Sequence, residues 1–398
     1  MGIGCVVQNF NQHADVYIIN TCTVTHASDK KSRQVIRRAR KQNPNAVVAV
    51  CGCMAKSDPT AAVVLGVDFI FDARSPEAFL SFVSEMHRTQ GSAQIQDLYS
   101  AKSFTPTRTR AFLKIQDGCD RFCSYCIVPY VRGKPISRSV SDVITEARSL
   151  IANGTQEIVL TGIQVASYGE DTSNDNLISL LSQISDLTNL KRLRLSSIEP
   201  CIINSDFLAL ISSSSILCDH FHLSLQSGCD TTLARMNRRY TSAKYAEIVA
   251  SIRNVRPSAA ITTDIIVGFP GETDEEFAQT LTFVQKINFA RIHVFEYSKR
   301  EGTPAATFAG QIEENVKTKR SRELRELALM QQKDFYQTQI GDIVPVLFES
   351  SKTANKWQGY TSNYCPVEVI CDANIANTIL GVKITAFSQN GLEGEISK

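Results

Sequence analysis

Six short apolar segments set the strongest limit on what this chain can fold into. AFLKIQ, EIVLTG, KRLRLSS, HFHLSLQ, ITTDIIVG and RIHVFEYS follow one another between about Arg110 and Gln337, with helical stretches between most of them. Strand alternating with helix predicts a parallel sheet in an α/β fold. Six such units in this length predict a partial (β/α)6, TIM-like barrel, with its active site at the C-terminal ends of the strands. Cys119, TGIQ, SSIEP, LQSG and GFPGET all fall at or just past those ends. Thr273 and Glu276 have the spacing of a capping box, which marks a helix start.

Two further regions flank this one, and 398 residues are enough for two or three domains. Near the N-terminus, ADVYIINTC and AVVAVCGC read as buried parallel strands with the helix DKKSRQVIRRARKQ between them, a small doubly wound sheet. QDLYSAKSFTPTRTR reads as a linker. After Thr338, short strands with Gly and Asn turns predict a small closed β-barrel, an architecture that often binds nucleic acid strands. An appendage that merely packs on the larger barrel has the same pattern. The expected domains are residues 1–98, 105–335 and 338–398.

No run approaches the roughly 20 apolar residues of a membrane span. MGIGCVVQNF lacks the basic start and cleavage site of a signal peptide, and Val6 stands where an acylation signal wants Ser or Thr. Twelve cysteines without a secretory signal imply a reducing, cytoplasmic setting, where clustered thiols bind metal or do chemistry. Cys201, Cys218, Cys365 and Cys371 are scattered and read as small buried residues. The net charge is only +2, so nucleic-acid binding has to rest on local patches.

GCDRFCSYCIVPYVRG places Cys119, Cys123 and Cys126 within eight residues, as C-x3-C-x2-C. A structural zinc site wants four ligands, usually as two pairs. His220 and His222 lie far along the chain, in an expected strand. Three thiolates suit a [4Fe–4S] cluster with one iron left open for a substrate or cofactor. Core cysteines are the bland alternative.

The triplet, with Tyr125 before its last cysteine and just after the first strand of a βα barrel, resembles the radical S-adenosylmethionine enzymes. The resemblance implies that Cys119, Cys123 and Cys126 hold the cluster. It further implies that strand-end residues hold the cofactor: Gly162 and Gln164, Ser197 and Glu199, Gln226, and Asp264. Cys22 and Cys53 end the two N-terminal strands, where ligands gather in open parallel sheets, and could reach a second cluster. NTCTVT…DKKSRQVIRRA, KIQDGCDRFCSYCIVPYVRG, DIIVGFPGET and HVFEYSKREGTPAA resemble the methylthiotransferases, most of all the branch acting on N6-threonylcarbamoyladenosine in tRNA. That resemblance spans nearly the whole chain. It implies an N-terminal three-cysteine domain, a radical S-adenosylmethionine barrel, a C-terminal TRAM-like or OB-like RNA-binding β-barrel, and two [4Fe–4S] clusters using S-adenosylmethionine. It also implies transfer of a methylthio group to C2 of the adenosine next to the anticodon.

One departure concerns the third ligand of the second cluster. In the family it follows an initial strand in a Gly-Cys motif. Gly4-Cys5 mimics that motif without the strand and helix, so the expectation is that a first strand and helix are missing. Cys51, on strand alternation, shares the face of Cys53 and is a weak substitute.

For RNA, Lys30, Arg33, Arg37 and Lys41 fall along one stripe of the N-terminal helix. Arg108 and Arg110 precede the barrel, and Arg235, Arg238, Arg239 and Lys244 form another basic stretch. Trp357, Tyr360 and Tyr364 offer stacking faces for unpaired bases, with core packing the competing reading for Trp357. The expected partners are tRNA and a flavodoxin- or ferredoxin-like electron donor, with no membrane. The rival readings are the same chemistry on isopentenyl-adenosine tRNA or a ribosomal protein, and a degenerate tRNA-binding relative with a single cluster.

Overall fold

The structure is a computed structural model that describes residues 8–22, 26–72, 75, 77–89, 109–172, 175–353 and 355–397. Cys5, Arg108 and nearly all of the expected linker lie outside them. The chain divides into two compact units. The first comprises Met1–Ser103, Tyr125–Gly133 and Ser298–Thr303, and the second Phe104–Ser124, Lys134–Tyr297 and Pro304–Lys398. Packing thus groups the central and C-terminal regions, which the sequence separates, into one unit.

In the first unit, β1 (Val16–Thr21) and β2 (Val47–Gly52) pair in parallel, from Val16↔Val47 to Thr21↔Gly52. The short β3 (Phe69–Ile70) adds to the other edge of β2. Helix α1 (His26–Gln42) crosses from β1 to β2 and buries Ser32, Ile36 and Ala39, which recur at helical spacing. Ile36 and Ala39 pack with Tyr17, Ile19, Val48 and Val50. Ala49, pointing the other way, packs with Phe79 and Val83 of the helix Glu77–Thr89. The sheet therefore has a core on each face, as the alternating pattern predicts.

In the second unit all six expected strands form: β4 (Arg110–Lys114), β5 (Glu157–Thr161), β6 (Arg192–Leu195), β7 (His220–His222), β8 (Ala260–Val267) and β9 (Arg291–Glu296). They pair in parallel as β4-β5-β6 and β7-β8-β9, and bridges at Leu193↔Leu217 and Ile198↔Leu223 join the two sets. Each strand is followed by a helix that covers the outer face. The capping box at Thr273 is formed, with both reciprocal bonds to Glu276. Among the described residues no helix is long and apolar enough to cross a membrane.

The C-terminal strands β10 (Ile343–Thr353), β11 (Lys356–Thr361), β12 (Pro366–Ile370), β13 (Ile379–Ser388) and β14 (Gly391–Ile396) close into a barrel in the order β10-β11-β12-β14-β13. Val346, Phe348, Val367, Val382, Ile384 and Leu392 fill it.

This small barrel sits on the N-terminal ends of β4, β5 and β6, away from the strand ends that carry the unusual residues. Arg192 donates to the carbonyls of Tyr360 (2.8 Å) and Pro345 (2.6 Å), and Arg194 to that of Ser362 (2.9 Å). Arg110 stacks over the Tyr360 and Tyr364 rings at 4.5 and 4.9 Å, and Arg194 over Tyr364 at 4.5 Å. The two tyrosine rings stack on each other with centroids 5.0 Å apart. Tyr360 and Tyr364 are therefore occupied inside the molecule, and the stacking faces expected for RNA are covered at both.

Arg194 also pairs with the fully buried Glu157 at 2.7 Å. Arg194→Ala is expected to lower stability by about 3 kcal/mol, because it leaves the buried carboxylate with only the longer 3.7 Å contact to Arg192. The double change Glu157→Gln with Arg194→Met should recover part of that loss in urea unfolding.

Candidate active site

Gln116, just past β4, ties the root of the cysteine loop to the end of β5. It is 1% exposed. Its Oε1 accepts from the Gln164 backbone N–H at 2.8 Å, and its Nε2 donates to the carbonyls of Asp117 and Gly118, both at 2.9 Å. A Cβ on Gly162 would stand 3.0 Å from that same Oε1 and 3.2 Å from the Gln116 carbonyl oxygen, so the turn after β5 needs glycine there.

The loop then docks on residues 235–237. Phe122 takes the left-handed conformation (φ 47°), and its carbonyl accepts from Asn237 Nδ2 at 2.9 Å. The Ser124 N–H donates to the Met236 carbonyl at 3.1 Å, and Ser124 Oγ to the Arg235 carbonyl at 2.7 Å. These bonds fix the segment holding Cys119 and Cys123. Cys123 is buried and Cys119 half-buried; burial raises the Cys119 thiol above its ordinary pKa. Cys126, also half-buried, belongs to the first unit.

Arg238 is central to this site. Its Nη1 lies 3.3 Å from Cys123 Sγ and 3.2 Å from Glu199 Oε1, and its Nε donates to Tyr240 Oη at 3.0 Å. Its side chain is only 6% exposed, so it faces the cysteine loop rather than RNA, which corrects the sequence expectation. Arg121 holds the other oxygen of Glu199 at 3.0 Å. Glu199, after β6, thus joins Cys123 and the loop through two guanidinium groups.

The remaining strand-end residues divide. Gln164 is 8% exposed, and its Nε2 is buried without a hydrogen-bond partner. Gln226 has φ 73° past β7, and its backbone bonds β8 both ways, to the Asp264 carbonyl and from the Ile266 N–H, each at 2.9 Å. Ser197 is exposed. Asp264 lies inside β8 and faces His222 Nε2 at 3.2 Å.

In the first unit, Cys22 and Cys53 directly follow the paired residues Thr21 and Gly52, so the two thiols stand at the C-terminal ends of neighbouring parallel strands. Ser32 Oγ accepts from the Cys22 N–H at 3.1 Å. Cys53 opens the short helix Cys53–Ser57, and its Sγ lies 3.4 Å from Arg132 Nε. Gly52 has φ +91°, and a Cβ there would meet the Thr21 carbonyl oxygen at 2.2 Å. The strand ends at this glycine. The alternation that would put Cys51 on the face of Cys53 stops one residue short, and Cys51 is buried with its thiol raised by desolvation.

Of the RNA candidates, Lys30, Arg37, Lys41 and Arg239 are exposed. Arg33 is half-buried and pairs with Asp29 (2.9 Å) and Asp58 (3.7 Å). Trp357 is half-buried and donates Nε1–H to the Cys371 carbonyl at 3.1 Å. Gln116 and Arg121 escaped the sequence reading. The one available signal was a glutamine three residues before the cysteine run and an arginine inside it.

Residues 113–284 match the radical SAM superfamily, and residues 2–71 match the uncharacterized protein family UPF0004. The chain is 40% identical to the threonylcarbamoyladenosine tRNA methylthiotransferase MtaB of Bacillus subtilis, over 95% of this chain and 87% of that protein. It is 36% identical to the MtaB of Aquifex aeolicus, over 85% and 84%. It is 35% identical to the tRNA-2-methylthio-N(6)-dimethylallyladenosine synthase of Lawsonia intracellularis, over 96% and 91%. Among solved structures, the radical S-adenosylmethionine methyltransferase TsrM of Kitasatospora setae aligns with a TM-score of 0.56 at 16% identity, over 75% of this chain and 65% of that one, a likeness of fold. The cysteine loop at the end of the first strand of a parallel sheet, and identity along nearly the whole chain to enzymes of one kind, lead to one conclusion: the chain belongs to the radical SAM tRNA methylthiotransferases.

Proposed function

We propose that this enzyme attaches a methylthio group to C2 of N6-threonylcarbamoyladenosine in tRNA, using S-adenosylmethionine and two [4Fe–4S] clusters. The observation that carries the reading is the cysteine loop, fixed by Gln116 and by residues 235–237, with Cys123 and Glu199 sharing Arg238.

The residues present fit an iron–sulfur cluster. Three thiols lie within eight residues, a cationic donor points at the buried one, and the Gln164 amide is left without a partner. Cys119, Cys123 and Cys126 would hold it, and Gly162, Gln164, Ser197, Glu199 and Gln226 would surround the cofactor. When bound, the cluster supplies the electron that splits the sulfonium bond of S-adenosylmethionine. Arg238 donates toward the Cys123 sulfur and stabilises negative charge there, and Arg121 keeps Glu199 oriented. Arg238→Gln is therefore expected to lower the cluster's reduction potential, read by redox titration, and Arg238→Lys to restore part of the shift.

Cys22 and Cys53 supply two thiols for the second cluster, and Cys5 lies outside the described residues. Residues 1–98, 105–335 and 338–398 serve as sulfur-donor, radical and RNA-binding domains. Lys30, Arg37, Lys41 and Arg239 attract tRNA phosphates, with Arg33 weakened by its two aspartates. A tRNA substrate places the enzyme in the cytoplasm, with a flavodoxin- or ferredoxin-like reductant.

The test is anaerobic reconstitution with iron and sulfide, then incubation with reductant, S-adenosylmethionine and tRNA bearing N6-threonylcarbamoyladenosine. The expected result is 5′-deoxyadenosine and a nucleoside heavier by one methylthio substituent. Cofactor cleavage without that nucleoside overturns the assignment.

A further inference from the structure

Side chains of the six parallel strands, with Tyr336 and with Tyr364 and Cys365 of the C-terminal barrel, line a cavity of about 480 Å³, within the range of small-molecule sites. Its lining includes the apolar side chains of Phe112, Val159 and Ala260. It also includes His222, Asp264, Arg291 and His293. Strand register causes this convergence. Asp264 pairs with His293, and Thr262 with both His222 and Arg291, while positions two apart on a strand share a face.

The ligating atoms of His222, Asp264 and His293 all lie within 4.8 Å of one another. His222 Nδ1 meets Thr262 Oγ1 at 3.0 Å, while its buried Nε2 makes no aligned hydrogen bond although Asp264 Oδ2 is 3.2 Å away. Among the described residues Arg291 has no carboxylate partner. Burial, then Arg291, holds His293 below the usual histidine range, so the ring is neutral and can donate or accept. This wall offers an unpaired cation, an anionic acceptor and two imidazoles, and Ser197 lies on the same cavity.

The family contains enzymes named for two adenosine substituents. Threonylcarbamoyl carries urea N–H groups, a hydroxyl and a carboxylate; dimethylallyl is hydrocarbon. A hydrocarbon here would press on the half-buried carboxylate of Asp264 and the half-buried rings of His222 and His293 without hydrogen-bonding them, and would offer the exposed Arg291 no counter-charge. We propose that Arg291, His293, His222 and Asp264 form the subsite that selects the threonylcarbamoyl substituent, Arg291 pairing its carboxylate and Asp264 accepting from its N–H or O–H. This rests on the function proposed above and moves Asp264 from the cofactor to the substrate.

The test compares reconstituted wild type, Arg291→Met, Arg291→Lys and His293→Phe on tRNA bearing either nucleoside, with folding checked by circular dichroism and cluster absorption. Wild type should prefer the threonylcarbamoyl tRNA by about 10³-fold or more in kcat/KM, as expected for a site built on hydrogen bonds. Arg291→Met and His293→Phe should each lose about 10²-fold of that preference, and Arg291→Lys should keep most of it. A wild type inactive on threonylcarbamoyl tRNA overturns the function itself. An active wild type whose folded Met and Phe variants keep its preference overturns the subsite alone. One equivalent of a non-iron divalent ion, held by wild type and lost by His293→Phe, would give these side chains to a cation and overturns the subsite too.

Discussion

Cys123→Ala is expected to end the reductive cleavage of S-adenosylmethionine. In an anaerobic assay with dithionite, 5′-deoxyadenosine should fall below about one-hundredth of the wild-type yield, since loss of even an outer partner of a metal ligand costs about 10- to 100-fold. Cys123 is the buried thiol of its loop, held between the Phe122 and Ser124 anchors and facing Arg238. Its replacement by alanine removes the sulfur that Arg238 Nη1 meets at 3.3 Å, while Glu199, Tyr240 and the Ser224 carbonyl stay in place around that arginine. Cys201 lines the same pocket as Cys123, and its Sγ lies 3.8 Å from Glu199. The double variant Cys123→Ala with Cys201→Ser should match the single one if Cys201 does not stand in. Wild-type yields from Cys123→Ala with retained iron would remove the loop from the chemistry.

Strands and turns were written locally in this chain. β8 carries eight residues of strand, and Thr273 begins the next helix with a bond pattern legible from two letters three apart. The closed C-terminal barrel followed from short strands and turn residues in the same way. Which way a side chain faces was not local. Arg238 and Arg239 are neighbours of the same type, yet one turns inward to Cys123 and the other to solvent, because the docking of residues 235–237 on the cysteine loop decides it. Tyr360 and Tyr364 look like RNA platforms until Arg110 and Arg194, far away in sequence, are seen to cover them. Alternation alone does not put Cys51 on the face of Cys53, because one glycine, held by a close approach to Thr21, ends the strand between them. His222, Asp264 and His293 come from three separate strands, and only their register brings them together.

Cys22→Ala should separate the two halves of the reaction. Cys22 stands past β1, in the first unit, while Cys119 and Cys123 lie in the second. None of the bonds that anchor the loop, from Gln116, Asn237, Ser124 or Arg238, involves it. Cleavage of S-adenosylmethionine should therefore persist at near the wild-type rate, while methylthiolated nucleoside disappears over repeated turnovers. Iron should drop from about eight to about four atoms per chain, the content of two four-iron clusters against one. Cys53→Ala should behave alike, since Thr21↔Gly52 pairing brings the chain to Cys22 and Cys53 at the same end of neighbouring strands. The substitution is small and half-buried, and Ser32 still receives the residue-22 backbone N–H, so unfolding of the first sheet does not explain the loss. The decisive measurement is product per enzyme beyond one turnover. If Cys22→Ala enzyme goes on making methylthio product with four irons bound, the sulfur comes from elsewhere and the first sheet has another task.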